Sequence, residues 1–286
     1  NILERIEKVL DIGKPRQVTV DGPDPETGYK MGAYRMTRRV ATEDAIRQFC
    51  DAIDEMNPLY RNRDYVKNSL HGGLIAPPQF LGAIAPFSGI AKATEELDFY
   101  TSRLDAGVSM EWFKTIFEGD SFTVMEYPVG IKDLTRENTA LQFLIEGDRI
   151  YKNQSDETVA IARISGMAIV ISQPSNDSEQ IGKKVTMKRF SEKEVEDWFE
   201  LMEQEPFRGG DPLMWEDVKE GDEIPPTHHV FSMTEHIAYS AAMGKSSGWR
   251  QQMAARKDAW HQAVDPDSGL PDFTNLHQTD AASRRM

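Results

Sequence analysis

Apolar residues recur with a helical period in three segments of the N-terminal third. The segment 1–10 places its apolar residues on one helical face. The segment 42–53 does the same and opens on a threonine, a residue type suited to capping a helix N-terminus. A third helix is predicted over 74–85, where Pro77 and Pro78 suit a first turn whose N–H groups have no partner inside the helix.

Beyond Arg103 the pattern changes to runs rich in β-branched and aromatic residues, separated by turn-forming residues. The runs are 108–117, 121–134, 139–153 and 157–172. The links between the later runs are too short for crossover helices, so the sequence predicts an antiparallel meander. Helices followed by such a meander indicate an α+β fold, with an antiparallel sheet wrapped on a helix.

The polar and acidic composition of residues 173–226 indicates a connector. Within it, residues 191–204 predict a short amphipathic helix, and an extended segment follows. We therefore divide the chain into an N-terminal domain over 1–172, a connector over 173–226, and the start of a second domain over 227–286.

Composition narrows the classes of function. The formal net charge of −14 argues against nucleic-acid binding, which depends on Lys and Arg neutralising phosphates. No apolar run reaches the roughly 20 residues that a membrane helix needs. The single cysteine, Cys50, excludes an internal disulfide and fits a reducing compartment, so we expect a cytoplasmic protein that does not bind membranes.

A weak internal repeat links the two domains. Thr42-Glu43 and Thr234-Glu235, 192 residues apart, each open an apolar helical pattern. A six-residue box follows each pattern: EMNPLY at 55–60, and DFTNLH at 272–277 after an insertion. The second box holds Asp272, Asn275 and His277, and Asp280-Ala281-Ala282 follow it.

This box resembles the active-site segment of (R)-specific enoyl-CoA hydratases and MaoC-like dehydratases, in which an Asp precedes Asn-Pro-Leu or a variant and a His lies five residues after the Asp. The resemblance implies a double hot-dog fold, an antiparallel sheet around a central helix, repeated. It also implies that Asp272 and His277 form an acid/base pair and that Asn275 contacts the substrate. The first copy has Glu55 and Tyr60 at the reactive positions and is interpreted as inactive.

Other matches extend the resemblance over residues 35–286. His71-Gly72 resembles the start of the central hot-dog helix, where a glycine N–H binds the thioester oxygen in the family. The resemblance makes Gly72 a candidate substrate-binding residue, although Glu55 and Tyr60 favour a structural role for it in this first copy. Only nine residues follow His277, so the second copy is incomplete. We expect either a longer native chain or a second chain that completes the fold.

The resemblance implies a reversible hydratase or dehydratase of 2-enoyl and 3-hydroxyacyl thioesters, with coenzyme A as part of a medium or bulky substrate and no metal or organic cofactor. Arg61 and Arg63, with Lys67, form a basic cluster that could bind the phosphates of such a substrate, or simply a solvated charged face. Trp112, Phe113 and Phe117 are interpreted as core residues.

Two other functions remain open. Hot-dog proteins include acyl-CoA thioesterases, which hydrolyse the same ligand. The chain could also be a non-catalytic thioester-binding subunit of a hetero-oligomer. In either case the family implies assembly into a homodimer or a hetero-oligomer.

Overall fold

The computed structural model describes most of the N-terminal domain and parts of the later chain. The described residues are 2–18, 36–87, 101–137, 139–170, 190–206, 208–224, 226–228 and 233–243. The helices are α1 (Ile2–Leu10), α2 (Glu43–Ala52), α3 (Arg63–Val66), α4 (Leu81–Ile84), α5 (Glu192–Glu203) and α6 (Met233–Ala242). The strands are β1 (Arg16–Val18), β2 (Thr101–Trp112), β3 (Thr123–Asp133), β4 (Gln142–Lys152) and β5 (Thr158–Val170).

The five strands form one antiparallel sheet in the order β1-β3-β4-β5-β2. Strand β4 alternates strictly between buried and half-buried residues, as expected of a strand with one face on a core. The meander predicted from the short links is confirmed as β3-β4-β5, and the α+β class is confirmed with it.

Helix α2 forms as the sequence predicts. Its N-cap is Thr42, whose hydroxyl accepts a hydrogen bond from the Ala45 amide at 3.2 Å. The apolar side of α2 is buried in the core, where the ring of Phe49 meets that of Phe80 edge-on at 5.6 Å. The helix ends at Ala52, because Asp54 adopts a positive φ of 56° and turns the chain toward the first box.

The third predicted helix is shorter and begins later than the sequence indicates. A single 3₁₀ turn runs over Pro78–Phe80 and α4 continues to Ile84. The next residue, Ala85, has an extended backbone with φ −142° and ψ 118°, so the helix ends there. We refer to Pro78–Ile84 as the central helix, since all its residues from Phe80 onward are buried in the core.

Two differences concern the strands. Strand β1 pairs with β3 although its three residues are too few to show a period in the sequence. The run 108–117 does not form one strand: β2 ends at Trp112, and an isolated bridge joins Ile75 to Phe117. The interpretation of Trp112, Phe113 and Phe117 as core is wrong, because these side chains are 44%, 50% and 37% exposed.

The connector contains the predicted helix as α5, which starts with a capping box between Ser191 and Glu194. No residue of α5 is buried. The second apolar helical pattern forms α6, which packs against α2, and the residues at its end, Ala242 and Met243, are buried. The domain limits drawn from the sequence stay predictions. Among the described helices, none has the length and apolarity to cross a bilayer.

Candidate functional site

The box of the second copy, with Asp272, Asn275 and His277, lies outside the described residues. Its described counterpart is the first box, residues 55–60, which directly follows α2. The two boxes have the same length. The first box is therefore the described example of this six-residue segment.

Hydrogen bonds fold the first box into a compact turn. The Asn57 side-chain oxygen accepts from the Leu59 amide at 3.0 Å and caps a 3₁₀ turn over Pro58–Tyr60. The carboxylate of Glu55 accepts from the Asn57 amide at 2.8 Å. The charge of Glu55 contributes to raising the pKa of Tyr60, so the first residue of the box acts electrostatically on the last.

The connector contacts this box from outside. The Asn57 side-chain amide donates to the Gly209 carbonyl at 3.3 Å. Close by, the Gly210 amide donates to the hydroxyl of Tyr65 at 2.8 Å. The Asn57 side chain thus has two roles, in shaping the box and in holding the connector. Neither role requires catalytic residues at the two ends of the box.

Tyr60, the last residue of the box, borders a cavity of about 390 Å³. The other lining residues are His71, Ile75, Ala76, Pro78, Trp112, Phe113, Lys114, Thr115 and Ile116. Burial, with a smaller contribution from Glu55, raises the pKa of Tyr60 to about 12, so the phenol stays protonated at neutral pH. The cavity lies between the start of the central helix and the end of β2.

The basic residues proposed to bind substrate are engaged in contacts within the domain. Arg61 donates to the Glu55 carbonyl and to the Asp51 carboxylate, both at 2.6 Å. Arg63 donates to Glu43 and Glu118, both at 2.6 Å. These ion pairs favour the interpretation of a solvated charged face; a phosphate-binding role for Arg61 and Arg63 stays a prediction.

Gly72 has a φ of +67°, which favours glycine, and a Cβ there would meet open space. Its amide donates to the Ser69 carbonyl at 3.3 Å within a turn. The central helix begins six residues later, at Pro78, so Gly72 does not lie in its first turn. Both observations agree with the structural interpretation of Gly72 in this copy.

The comparisons with known proteins agree with this fold. The sequence model of the FAS1-like dehydratase domain region matches residues 28–162. A solved structure described as a MaoC-like dehydratase superposes with a TM-score of 0.54 and 16% identity, over 85% of this chain and 68% of that one. The chain is thus similar to the MaoC-like hot-dog dehydratases in its fold. This similarity shows the fold, whereas the reaction depends on the site.

Two further solved structures superpose less well on this chain. The ChsH1-ChsH2 complex from Mycobacterium tuberculosis gives a TM-score of 0.43 with 15% identity, over 60% of this chain and 98% of that one. The (R)-hydratase from A. caviae gives 0.35 with 15% identity, over 45% and 88%. No curated protein matches the sequence.

Sequence reasoning missed two features of this domain. One is the aromatic wall of the cavity, Trp112 and Phe113, which periodicity assigned to the core. The other is a buried ion pair between Glu126 and Arg149, which are neighbours across β3 and β4. A charged residue at an inward-facing position of each strand was the available signal. Within the described ranges no cluster of three or more His, Cys, Asp or Glu residues could hold a metal ion.

Proposed function

We propose that this chain is a hydratase or dehydratase that interconverts 2-enoyl and 3-hydroxyacyl thioesters, with Asp272 and His277 as its acid/base pair. The observation that carries the proposal is the compact turn of the first box. Within that turn the charge of Glu55, the first residue, acts on the phenol of Tyr60, the last. The second box has the same spacing, with a carboxylate and an imidazole at these two positions.

The residues between them suit the same turn. Thr274 stands at the position of Asn57, and Leu276 stands at the position of Leu59. A threonine hydroxyl can accept the capping hydrogen bond that Asn57 accepts in the first box, because both residue types are good caps. Asn275 stands at the position of Pro58, and we propose that its side-chain amide contacts the substrate.

The chemistry requires the two groups that the second box provides. In hydration, one group takes a proton from water as its oxygen bonds to C3, and the other gives a proton to C2 as the double bond is lost. A carboxylate and an imidazole beside one water molecule can share these steps, and positioned acid/base groups typically contribute about 10² to 10⁴ in rate. Because the reaction moves protons and water but no electrons, we propose that it needs neither metal nor organic cofactor.

Two observations support the finer points of the substrate. The central helix is only seven residues long and ends at Ile84, and on this short helix we base the proposal of a medium or bulky acyl chain. The formal charge of −14 supports a small thioester ligand rather than a nucleic acid. We propose coenzyme A as the thiol carrier and, from the single cysteine, the cytoplasm as the location.

A non-catalytic role as the thioester-binding subunit of a hetero-oligomer is the second candidate. It is favoured by the residues of the first box, Glu55 and Tyr60, and by the exposed apolar side chains of the connector. Trp215 is 89% exposed and Ile224 is 90% exposed, so both side chains are available to a partner chain. In this case the isolated chain would bind thioesters without converting them, and addition of the partner chain would restore turnover.

The experiment is hydration of a series of trans-2-enoyl-CoA thioesters of increasing length, followed by loss of enoyl absorbance and by chiral analysis of the product. Wild type is compared with Asp272→Asn and with Glu55→Gln as the matched control in the first box. We expect turnover to the (R)-3-hydroxyacyl product that falls about 10² to 10⁴-fold in Asp272→Asn and stays within about twofold in Glu55→Gln.

Each alternative has its own signature in the same assay. Release of free thiol without hydration would identify a thioesterase. Full activity in Asp272→Asn would exclude the proposed pair. A wild-type chain that binds thioesters without converting them would support the role as a non-catalytic subunit.

A further inference from the structure

The described residues that line the cavity bordered by Tyr60 all belong to the first copy. Most of its wall is apolar or aromatic. The indole of Trp112 is fixed by a hydrogen bond from its N–H to the Pro78 carbonyl at 3.3 Å. The adjacent Phe113 is 50% exposed. A concave, mostly apolar site of this size suits a small organic molecule.

Besides Lys114 and Thr115, two polar side chains line this cavity, the phenol of Tyr60 and the imidazole of His71. Within the described part of the chain, neither side chain has a hydrogen-bond partner, although the His71 backbone amide donates to the Ser69 hydroxyl. Arg149 Nε is fully buried without a hydrogen-bond partner, whereas the Tyr60 hydroxyl is not fully buried. Half-buried polar groups of this kind gain a hydrogen bond when a ligand enters.

The charges at the cavity restrict the ligand. The cationic residue on the wall, Lys114, forms an ion pair with Glu157 at 2.8 Å, so its charge is already compensated. The phenol remains protonated at neutral pH and therefore offers a donor, which calls for an acceptor oxygen on the ligand. An uncharged, largely apolar molecule with a carbonyl group meets these conditions.

We propose that the first copy holds a second, non-catalytic binding site, in which the apolar part of a neutral acyl compound lies between Trp112 and Ile75 and its carbonyl oxygen accepts a hydrogen bond from Tyr60. His71 faces the same space and can bond to a further polar group of the ligand. The inactive box then has a function of its own, because a tyrosine replaces the imidazole with a neutral donor. The proposal does not depend on the reaction at Asp272 and His277.

The test uses two matched uncharged probes, hexanoyl-N-acetylcysteamine and its thioether S-hexyl-N-acetylcysteamine, which lacks only the thioester carbonyl. Binding is followed by quenching of tryptophan fluorescence, because Trp112 lines the cavity. The variants are Tyr60→Phe, with Tyr127→Phe on β3 as the matched control, and Trp112→Phe to identify the source of the signal. Asp272→Asn separates this site from the proposed catalytic pair.

We expect saturable quenching by the thioester that disappears in Trp112→Phe and persists in Asp272→Asn. Tyr60→Phe should weaken thioester binding about 2- to 10-fold, the range for loss of one hydrogen bond, and leave thioether binding unchanged. Tyr127→Phe should bind both probes as wild type does. Equal binding of the thioester by Tyr60→Phe and wild type, or no saturable quenching, would overturn the proposal. Either result would leave the hydratase assay unaffected.

Discussion

Arg149 donates a hydrogen bond to Glu126 across the neighbouring strands β3 and β4, and both side chains are almost wholly buried. Arg149 also donates to the carbonyl of Pro86, just past the end of the central helix. Beside it, the Tyr151 hydroxyl donates to the Ala85 carbonyl at 2.8 Å. The pair thus anchors the chain where the central helix stops, and it does so inside an otherwise apolar core.

Breaking this pair should destabilise the domain strongly. Glu126→Gln leaves the guanidinium buried without its counter-charge, and we expect the free energy of unfolding to fall by about 3 to 5 kcal/mol. The matched control is Glu146→Gln on β4, which breaks the more exposed pair with Lys132 and should cost less than about 1 kcal/mol. Urea unfolding of both variants measures the difference, and equal losses would show that the buried pair carries no special role.

Much of the architecture could be predicted because it follows from local periodicity. Helix α2 has a capping threonine and an apolar stripe, and β3 to β5 have short polar links, so sequence alone places them in order. The short central helix could not be predicted, because its end depends on contacts of Pro86 and Ala85 with β4, which are distant in sequence. The register that pairs Glu126 with Arg149 is likewise a property of the assembled sheet.

The candidate site divides in the same way. The box at 55–60 is visible in the sequence, and its turn agrees with the capping preference of asparagine. The aromatic cavity wall is not visible, because an apolar run such as 108–117 indicates burial and cannot show that β2 ends at Trp112 with its side chain half exposed. The ion pairs of Arg63 could not be predicted from the sequence, because Glu43 and Glu118 come close to Arg63 only after folding.

Contact between α6 and the first copy can be tested at Gly82. A Cβ there would lie 2.8 Å from Met243 Cε and 2.9 Å from Phe87 Cε2, so Gly82→Ala should cost about 1 to 3 kcal/mol of stability. Shortening Met243 to alanine removes one of the two clashes. The double variant should therefore lose less stability than the sum of the single losses.

The matched control for Gly82→Ala is Gly73→Ala, where the nearest atom to a new Cβ, Phe117 Cδ1, is at 3.8 Å. We expect this control to change stability by less than about 1 kcal/mol. Thermal or urea unfolding of the four variants completes the cycle. Strict additivity of Gly82→Ala and Met243→Ala would contradict the packing of α6 against the central helix.

The thiol of Cys50 should be unreactive in the folded protein. It is fully buried on α2, and burial raises its pKa to about 12, so almost no thiolate exists at pH 8. Iodoacetamide at pH 8 should alkylate the native chain at least 100-fold more slowly than the chain unfolded in urea, as read by intact mass. Rapid alkylation without denaturant would show that α2 opens readily.

Alkaline pH should destabilise the fold, because the folded state favours the protonated forms of three buried or half-buried groups. Burial raises the pKa of Cys50, Tyr60 and Tyr151 to about 12, above the ordinary values of 9.0 for the thiol and 10.0 for the phenols. Well below pH 8 all three are protonated in both states and add no pH dependence. From about pH 8 for the thiol and pH 9 for the phenols, up to about pH 12, the unfolded chain releases these protons first, so stability falls as pH rises.

Removing one of these groups should reduce that pH dependence. Tyr60→Phe deletes a phenol without changing the apolar ring, and the fall in unfolding free energy between pH 9 and pH 12 should be smaller than in wild type, by at most about 1.4 kcal/mol for each pH unit above pH 10. Urea unfolding at several pH values measures both curves. Parallel curves for the two proteins would show that Tyr60 ionises as easily in the folded chain as in the unfolded one.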